Sequence, residues 1–193
     1  MVARLWWVRH GPTHERAFTG WRDVPADLSD DAALARLDAH LPRDALLVSS
    51  DLARASATAD RLGAGRTRLP DEPRLREFDF GEWDGLVFDE VSTRDPDLSR
   101  AFWETPGTVA APGGETWNGV AARVSDAIDA LARLHPGADL VAVAHMGVIL
   151  SHLGHAGGLG PMKALGHRIE PLSVTRLDRD GAGWRIVSVN HLA

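Results

Sequence analysis

A histidine beside an arginine, Arg9 and His10, follows directly on the short apolar run of residues 5–8. Runs of apolar, aromatic and β-branched residues are typical of buried strands, so the pair is expected where a strand leaves the sheet. In open α/β sheets, ligands bind in the crevice beyond the carboxyl ends of the strands. A histidine next to a permanent cation could do chemistry on an anion there, although a strand-capping histidine beside a solvated arginine would give the same local pattern.

Two further apolar runs are followed by residues of the same kinds. Residues 45–48 lead into a polar stretch that contains Arg54, and residues 140–144 lead directly into His145. Because the carboxyl ends of parallel strands meet at one edge of a sheet, these groups are expected near Arg9 and His10. This repetition favours an anion site over a chance neighbourhood.

Composition bounds the class of protein. With 193 residues, 44% hydrophobic and 25% charged content, the chain suits one globular domain that spans residues 1–193 and buries a full core. The absence of cysteine excludes thiolate catalysis and cysteine metal sites. A net charge of -6 argues against nucleic acid as a partner, because such binding needs a basic face.

The distribution of apolar residues gives expectations for location. The longest apolar runs fall far short of the roughly 20 residues that span a bilayer, so no membrane association is expected. The sequence begins almost at once with a strand and shows no basic-then-apolar leader, which predicts a cytoplasmic protein. The oligomeric state cannot be predicted from these features.

Strand-like and helix-like stretches alternate along the chain, a pattern typical of an α/β domain with a largely parallel sheet. Ser29 is the expected N-cap of a helix over residues 30–41, and Asp51 or Ser50 that of the next helix, which carries Arg54 in its first turn. A long helix is expected from Thr116 to about residue 134.

Two other parts of the chain depart from this alternation of strand-like and helix-like stretches. From about residue 70 to 117, Pro, Gly, acidic and aromatic residues predict short helices and loops that form a lid-like insertion over the sheet edge. Residues 172–177 and 184–189, joined by the glycine-rich stretch at 179–183, predict a closing hairpin.

Five blocks of the sequence together carry a family resemblance. They are VRHGPT at 8–13, SSDLARA at 49–55, LREFDFGEWDG at 75–85, PGGET at 112–116 and AH at 144–145. In this order they resemble the histidine phosphatase superfamily, the phosphoglycerate mutase-like family. The resemblance implies a three-layer α/β/α fold with a largely parallel sheet and a small lid insertion.

The resemblance also implies roles for the matched residues. His10 would be the nucleophile that forms a phosphohistidine, and His145 would donate to a phosphate oxygen as charge develops. Arg9 and Arg54 would grip the phosphate, and their charge would keep the His10 imidazole neutral. The backbone amides of Met146 and Gly147, at the start of a helix, could add donors. A buried core histidine is the alternative for His145.

The proton for the leaving alkoxide would come from Glu77, the glutamate of the family pattern Leu-x-Glu, with Glu82 as the competing acid. Asp79 and Asp84 are expected to make solvated or loop-capping contacts. Glu115 could support the site from its turn, or act only as an acidic residue at a helix start.

The chain departs from the family pattern in one loop and at one glycine position. Arg16 stands where many members have asparagine, so it could be a further phosphate ligand or a surface charge. The loop from there to Thr19 and Gly20 is shorter than usual, and these two residues could offer a hydroxyl and an amide to the substrate. Met146 stands where glycine is common, which puts a close backbone approach there in doubt.

The implied function is a cofactor-independent phosphomonoesterase that acts on a small phosphorylated metabolite and needs no metal. His145, His152 and His155 have a spacing that suggests metal binding, but no acidic partner is evident. The alternatives are phosphoryl transfer of the phosphoglycerate mutase type, a phosphoprotein phosphatase, and a non-catalytic module that binds phosphate.

Overall fold

A central sheet organises the protein in a computed structural model that describes residues 3–180 and 183–193. Over these residues the sheet has six strands. They are β1 (Ala3–Arg9), β2 (Leu46–Ser49), β3 (Thr67–Arg68), β4 (Asp139–Ala144), β5 (Val174–Asp180) and β6 (Gly183–His191). Their spatial order is β3-β2-β4-β1-β5-β6.

The sheet is mixed, and the three strands that precede Arg54, His10 and His145 belong to its parallel part. Strands β3, β2, β4 and β1 are mutually parallel, whereas β5 and β6 run antiparallel. The largely parallel sheet and the closing hairpin are therefore confirmed. Gly181 and Ala182, in the glycine-rich connection of that hairpin, lie outside the described residues.

Helices cover both faces of the sheet. They are α1 (Asp31–His40), α2 (Ala53–Arg61), α3 (Phe88–Arg94), α4 (Pro96–Glu104), α5 (Trp117–Leu134), α6 (Met146–Ala156) and α7 (Pro161–Leu165). Trp7 packs into the core with α5 and α6, whereas its neighbour Val8 packs with α1 and α2. This alternation follows from the period of two along a strand, and it confirms the three-layer α/β/α architecture.

Two helix starts differ from the sequence-based expectation. Asp30, not Ser29, caps α1, because the Asp30 side chain accepts a hydrogen bond from the Ala33 amide at 2.9 Å. At α2 the Asp51 carboxylate is instead engaged by the Arg76 guanidinium at 2.6 and 2.8 Å. The first turn of α2 is bound from outside, by Asp23, which accepts from the Ala53 amide at 2.7 Å.

The lid-like region, at about residues 70–117, forms short helices and turns, as expected. Two 3₁₀ turns, Pro73–Leu75 and Gly81–Trp83, precede α3 and α4, and α5 then begins at Trp117 with Thr116 as its N-cap. The region has a small apolar cluster of its own, formed by Trp83, Val91, Phe102 and Ala111. This cluster is joined to the main core through Phe80, which packs against both.

The longest helix in the described part of the chain, α5, has 18 residues. Within the same residues, the length and apolar content needed to cross a membrane are not reached by any helix.

The register of the parallel strands decides which residues meet at the sheet edge. Strand β1 pairs Arg9 with Ala144 of β4, so His10 and His145 are the next residues on two adjacent strands. Strand β4 in turn pairs Val143 with Ser49 of β2, the strand that precedes α2 and Arg54. The order β2-β4-β1 therefore brings Arg54, His145 and His10 to one place.

Candidate active site

His10 and His145 lie side by side in the crevice at the carboxyl ends of β1 and β4. Their ring centroids are 5.1 Å apart, and the two residues are 7% and 0% exposed. The His10 amide extends the ladder between the strands by donating to the Ala144 carbonyl at 3.0 Å. The rings are thus positioned by regular sheet pairing, which gives them a rigid base.

The ring of His10 is neutral and presents a lone pair. Its Nδ1 lies 2.7 Å from the Gly11 carbonyl oxygen, which can only accept, so Nδ1 carries the proton and Nε2 the lone pair. The pKa of His10 is lowered to about 3, mainly by burial; the hydrogen bond with Gly11 opposes this shift, and the charges of Arg54 and Arg9 add to it. The two arginines were expected to keep this ring neutral; burial is the larger cause.

His145 has the opposite tautomer. Its Nδ1 accepts a hydrogen bond from the Arg54 Nε at 3.2 Å, so in the neutral ring the proton lies on Nε2. Burial, followed by the charges of His10 and Arg54, lowers the pKa of His145 well below its usual value. The Nε2 atom is buried and has no hydrogen-bond partner among the described residues. A buried unmet donor beside a lone pair is an arrangement that suits an incoming anion.

Arg54 links this pair to the loop that precedes α1. The residue is 1% exposed, and its guanidinium donates to the carbonyls of Gly20 at 2.7 Å, Arg22 at 3.1 Å and Thr19 at 3.4 Å. With His145, these acceptors use most of the five N–H groups of an arginine. Arg54 therefore holds His145 and the loop at residues 19–22 together, and its binding of phosphate stays a prediction.

The loop bound by Arg54 is also bound from the lid-like region. Asp84 accepts from the amides of Gly20 at 3.2 Å and Arg22 at 2.9 Å. The Thr19 hydroxyl donates to the Ala17 carbonyl at 3.0 Å. The amide of Gly20 and the hydroxyl of Thr19 thus have partners within the protein, and their predicted contacts with substrate would require these bonds to rearrange.

Arg9 has spare donor capacity. One of its terminal nitrogens donates to the Ile169 carbonyl at 2.6 Å, and its Nε is buried without a partner among the described residues. Burial lowers the pKa of Arg9, and the nearby charge of Glu77 opposes that shift. An arginine at its usual charge with an unmet donor is a suitable ligand for a phosphate oxygen.

Glu77 is held at the site by two backbone amides. One carboxylate oxygen accepts from the Phe78 amide at 3.0 Å and the other from the Gly147 amide at 3.1 Å. A Cβ at position 147 would lie 2.5 Å from Glu77 Oε1, so this approach requires glycine. The Gly147 amide is therefore committed to Glu77 here, and its predicted contact with phosphate is not part of this arrangement.

Glu82, the competing candidate for the proton donor, lies away from the two histidines, on the surface. Glu82 is exposed and forms an ion pair with Arg94. Asp79 caps its own loop by accepting from the Gly81 amide at 2.9 Å, as expected. The placement favours Glu77 over Glu82 as a group that could reach a ligand.

A cavity of about 210 Å³ opens in front of His10, beside the buried His145, and we call it the catalytic cavity. It is lined by Arg9, His10, Thr13, Glu15, Ala17, Phe18, Thr19, Arg54, Glu77, Phe80, Trp103 and Met146. Arg16 is exposed and does not line this space, although both of its neighbours do. The Met146 side chain lines the cavity; the predicted role of its amide stays a prediction.

Arg123 and Glu115 hold the backbone around Glu77 in place. The sequence analysis did not assign Arg123, and it named Glu115 only as a possible support. Arg123 of α5 donates to both carboxylate oxygens of Glu115 at 2.8 Å and to the carbonyls of Arg74, Arg76 and Glu77 at 2.7 to 2.9 Å. All five N–H groups of Arg123 are therefore used, three on the segment of residues 74–77 and two on Glu115. Glu115 also accepts from the Asp79 amide at 3.0 Å. The only sequence signal was the acid in the turn before α5.

The histidines with metal-like spacing are separated in the fold. His152 is fully buried and accepts a hydrogen bond from Trp7 Nε1 at 3.1 Å, whereas His155 is exposed. Across residues 3–180 and 183–193, no group of three or more His, Asp or Glu side chains is placed to hold a metal ion. His152 thus packs as a core histidine.

Replacing Arg123 should impair a reaction in which Glu77 is the proton donor, the role that the family resemblance implies. For Arg123→Met we expect kcat with alkyl phosphates to fall by on the order of 10- to 100-fold, the scale of a displaced catalytic group. The KM should change little, because the phosphate ligands are untouched. Arg123→Lys should recover part of the loss.

Steady-state kinetics on alkyl and nitrophenyl phosphates check this expectation. Arg133→Met, an exposed arginine on the same helix, is the matched control. A proton donor matters most for poor leaving groups, so the loss should be smaller with nitrophenyl phosphate. An equal loss with both esters would show that Arg123 does not act through Glu77.

Comparison with known proteins places the chain in a family. A family model described as the histidine phosphatase superfamily (branch 1) matches residues 5–192. The bifunctional protein Rv2228c of Mycobacterium tuberculosis is 33% identical over 197 residues, which cover 93% of this chain and 51% of that protein. The chain thus spans about half the length of that curated relative.

A second relative and a solved structure agree. Glucosyl-3-phosphoglycerate phosphatase of Mycobacterium tuberculosis is 37% identical over 161 residues, which cover 76% of this chain and 71% of that protein. The structure of Bacillus stearothermophilus YhfR superposes with a TM-score of 0.90 at 26% identity, and covers 99% of this chain and 98% of that one. These matches confirm the resemblance carried by the five sequence blocks: the chain belongs to the histidine phosphatase superfamily, with the phosphoglycerate mutase-like fold.

Proposed function

We propose that this protein is a phosphomonoesterase that hydrolyses a small phosphorylated metabolite through a phosphohistidine at His10. One observation carries the proposal: two neutral histidines in opposite tautomers lie 5.1 Å apart between ring centroids, and His10 lines the catalytic cavity. One of them offers a lone pair and the other an N–H, which are the two functions that phosphoryl transfer to nitrogen needs. Relatives named as phosphatases support the reaction class.

In the first step, His10 Nε2 attacks phosphorus and forms the N–P bond while the bond from phosphorus to the leaving oxygen breaks. Phosphoryl transfer depends mainly on position and on charge stabilisation, because the protein has little other chemistry to do. The Nε2–H of His145 and the spare N–H groups of Arg9 and Arg54 would bind the nonbridging oxygens as the phosphoryl group moves. No metal ion is needed in this scheme, and none is proposed.

Glu77 completes both steps. In its protonated form it gives a proton to the leaving oxygen, so the product leaves as a neutral alcohol. The resulting carboxylate then takes a proton from the water that attacks the phosphohistidine. The N–P bond breaks, inorganic phosphate leaves, and His10 returns with its lone pair and Glu77 with its proton.

Trapping of the phosphoenzyme tests the role of His10. The protein should carry one phosphoryl group after an alkaline quench during turnover, and peptide mass spectrometry should locate it on His10. His10→Ala should lose both the adduct and turnover, because the nucleophile is gone. An adduct on another residue, or turnover that persists in His10→Ala, would contradict the proposed mechanism.

Leaving-group dependence tests the role of Glu77. In Glu77→Gln we expect kcat with alkyl phosphates to fall by roughly 10²- to 10⁴-fold, the usual contribution of a general acid. The loss with nitrophenyl phosphate should be much smaller, because nitrophenolate leaves without a proton. Glu82→Gln, a substitution on the surface, is the matched comparison, and a larger loss there would reassign the acid.

The same preparation separates the other functions that the sequence left open. Isomerisation of 3-phosphoglycerate with a bisphosphoglycerate primer, faster than phosphate release, would establish a mutase. Binding of inorganic phosphate without turnover of any ester over a broad pH range would establish a non-catalytic module.

A further inference from the structure

A second, smaller cavity of about 60 Å³ lies next to Glu77, under the lid-like region. Among the described residues that line it, Glu77 alone has an ionisable side chain. The walls include Phe80, Phe102, Trp103, Trp117, Leu150 and Leu165. We call this space the apolar slot.

The apolar slot adjoins the catalytic cavity. Glu77, Phe80, Trp103 and Met146 line both spaces. In the proposed reaction the leaving oxygen lies next to Glu77, on the side of phosphorus away from His10. The carbon skeleton attached to that oxygen therefore has the apolar slot directly in front of it.

We propose that the apolar slot is the leaving-group subsite, and that the alcohol part of the substrate is uncharged and apolar, with the bulk of a single ring or a short branched chain. This inference rests on the proposed function, since it identifies the slot by the position of the acid. It goes beyond reaction type, because it names the class of ester that the site takes.

The charges around the slot support an uncharged alcohol. Both Glu77 carboxylate oxygens already accept from backbone amides, and no arginine or lysine of the described part of the chain lines the slot. A carboxylate in the slot would lose its hydration without gaining a partner, and it would lie beside another carboxylate. The relative named for glucosyl-3-phosphoglycerate has an acidic product by its name, so specificity is expected to differ between the two proteins.

The walls are also preformed for a flat or compact group. Phe102 and Trp103 meet edge to face with ring centroids 5.0 Å apart, and Trp117 packs against Phe78 at 5.7 Å. Such mutually packed aromatic walls offer apolar surface at low entropic cost. The small volume restricts the occupant to about the size of one ring.

Binding of unreactive phosphonates tests the subsite without requiring turnover. We expect 3-phenylpropylphosphonate to bind the wild-type protein on the order of 10- to 100-fold more tightly than 3-hydroxypropylphosphonate, the factor that burial of a phenyl ring supplies. The affinity for 3-phenylpropylphosphonate should also exceed the affinity for 4-phosphonobutyrate by at least the same factor. The first comparison keeps the net charge of the ligand constant, and the second replaces the ring by a carboxylate. Calorimetry gives the three dissociation constants.

A filling substitution locates the effect in the slot. Val109→Trp adds bulk to the slot wall, so the affinity for 3-phenylpropylphosphonate should fall at least about 10-fold while that for inorganic phosphate is retained. Val187→Trp, on the exposed side of β6, is the matched control and should change neither affinity.

The outcomes separate the subsite from the reaction. Equal or tighter binding of 4-phosphonobutyrate by the wild-type protein would overturn the apolar subsite, even if a phosphohistidine forms on His10. An unchanged affinity for 3-phenylpropylphosphonate in Val109→Trp would also overturn it. Absence of the phosphohistidine, with the expected order of phosphonate affinities, would instead overturn the proposed mechanism and leave the subsite standing.

Discussion

The buried guanidinium of Arg54 is the constraint on which the rest of the site depends. A charge at 1% exposure is costly unless its N–H groups are met, and here they are met by His145 and by carbonyls of the loop at residues 19–22. The parallel strands β2 and β4 bring α2 and His145 together, and Asp84 fixes the loop from the lid-like side. One cation thus joins the sheet edge to the first loop, and Asp84 joins that loop to the covering segment.

Two hydrogen bonds set the positions of the protons on the rings of His10 and His145, and Arg54 makes one of them. Arg54 donates to Nδ1 of His145 and so leaves the proton on Nε2, whereas the Gly11 carbonyl holds the proton of His10 on Nδ1. Burial makes both rings neutral, and this costs stability in acid. As pH falls below about 6.5 the unfolded chain protonates these histidines, whereas folded His10, with a pKa of about 3, stays neutral, so stability falls with pH across that range.

Much of the fold followed from the sequence, because strand patterns and helix periods are local. The apolar runs before His10, His145 and Arg54 were enough to place these groups at one sheet edge. The resemblance added Glu77. The N-cap of α1 was misassigned by one residue, because Ser29 and Asp30 are both good caps and only the three-dimensional geometry chooses between them.

The contacts that hold Glu77 and the loop at residues 19–22 in place were not predictable in the same way. Arg123 and Asp84 act on backbone carbonyls and amides far away in sequence, and no spacing rule marks such partners. Asp23 likewise binds the start of α2 from another loop, a contact that no local spacing marks. The apolar slot arises where the lid-like region meets α6 and α7, and only the assembled structure shows that it adjoins Glu77.

The most direct test of the account is the protonation state of the two rings. A long-range proton–nitrogen NMR spectrum of the imidazoles, with His10→Ala and His145→Ala for assignment, should show two neutral rings in opposite tautomers from pH 8 down to pH 5. His10 should carry its proton on Nδ1 and His145 on Nε2. An imidazolium at either residue near neutral pH, or the same tautomer in both rings, would contradict the account.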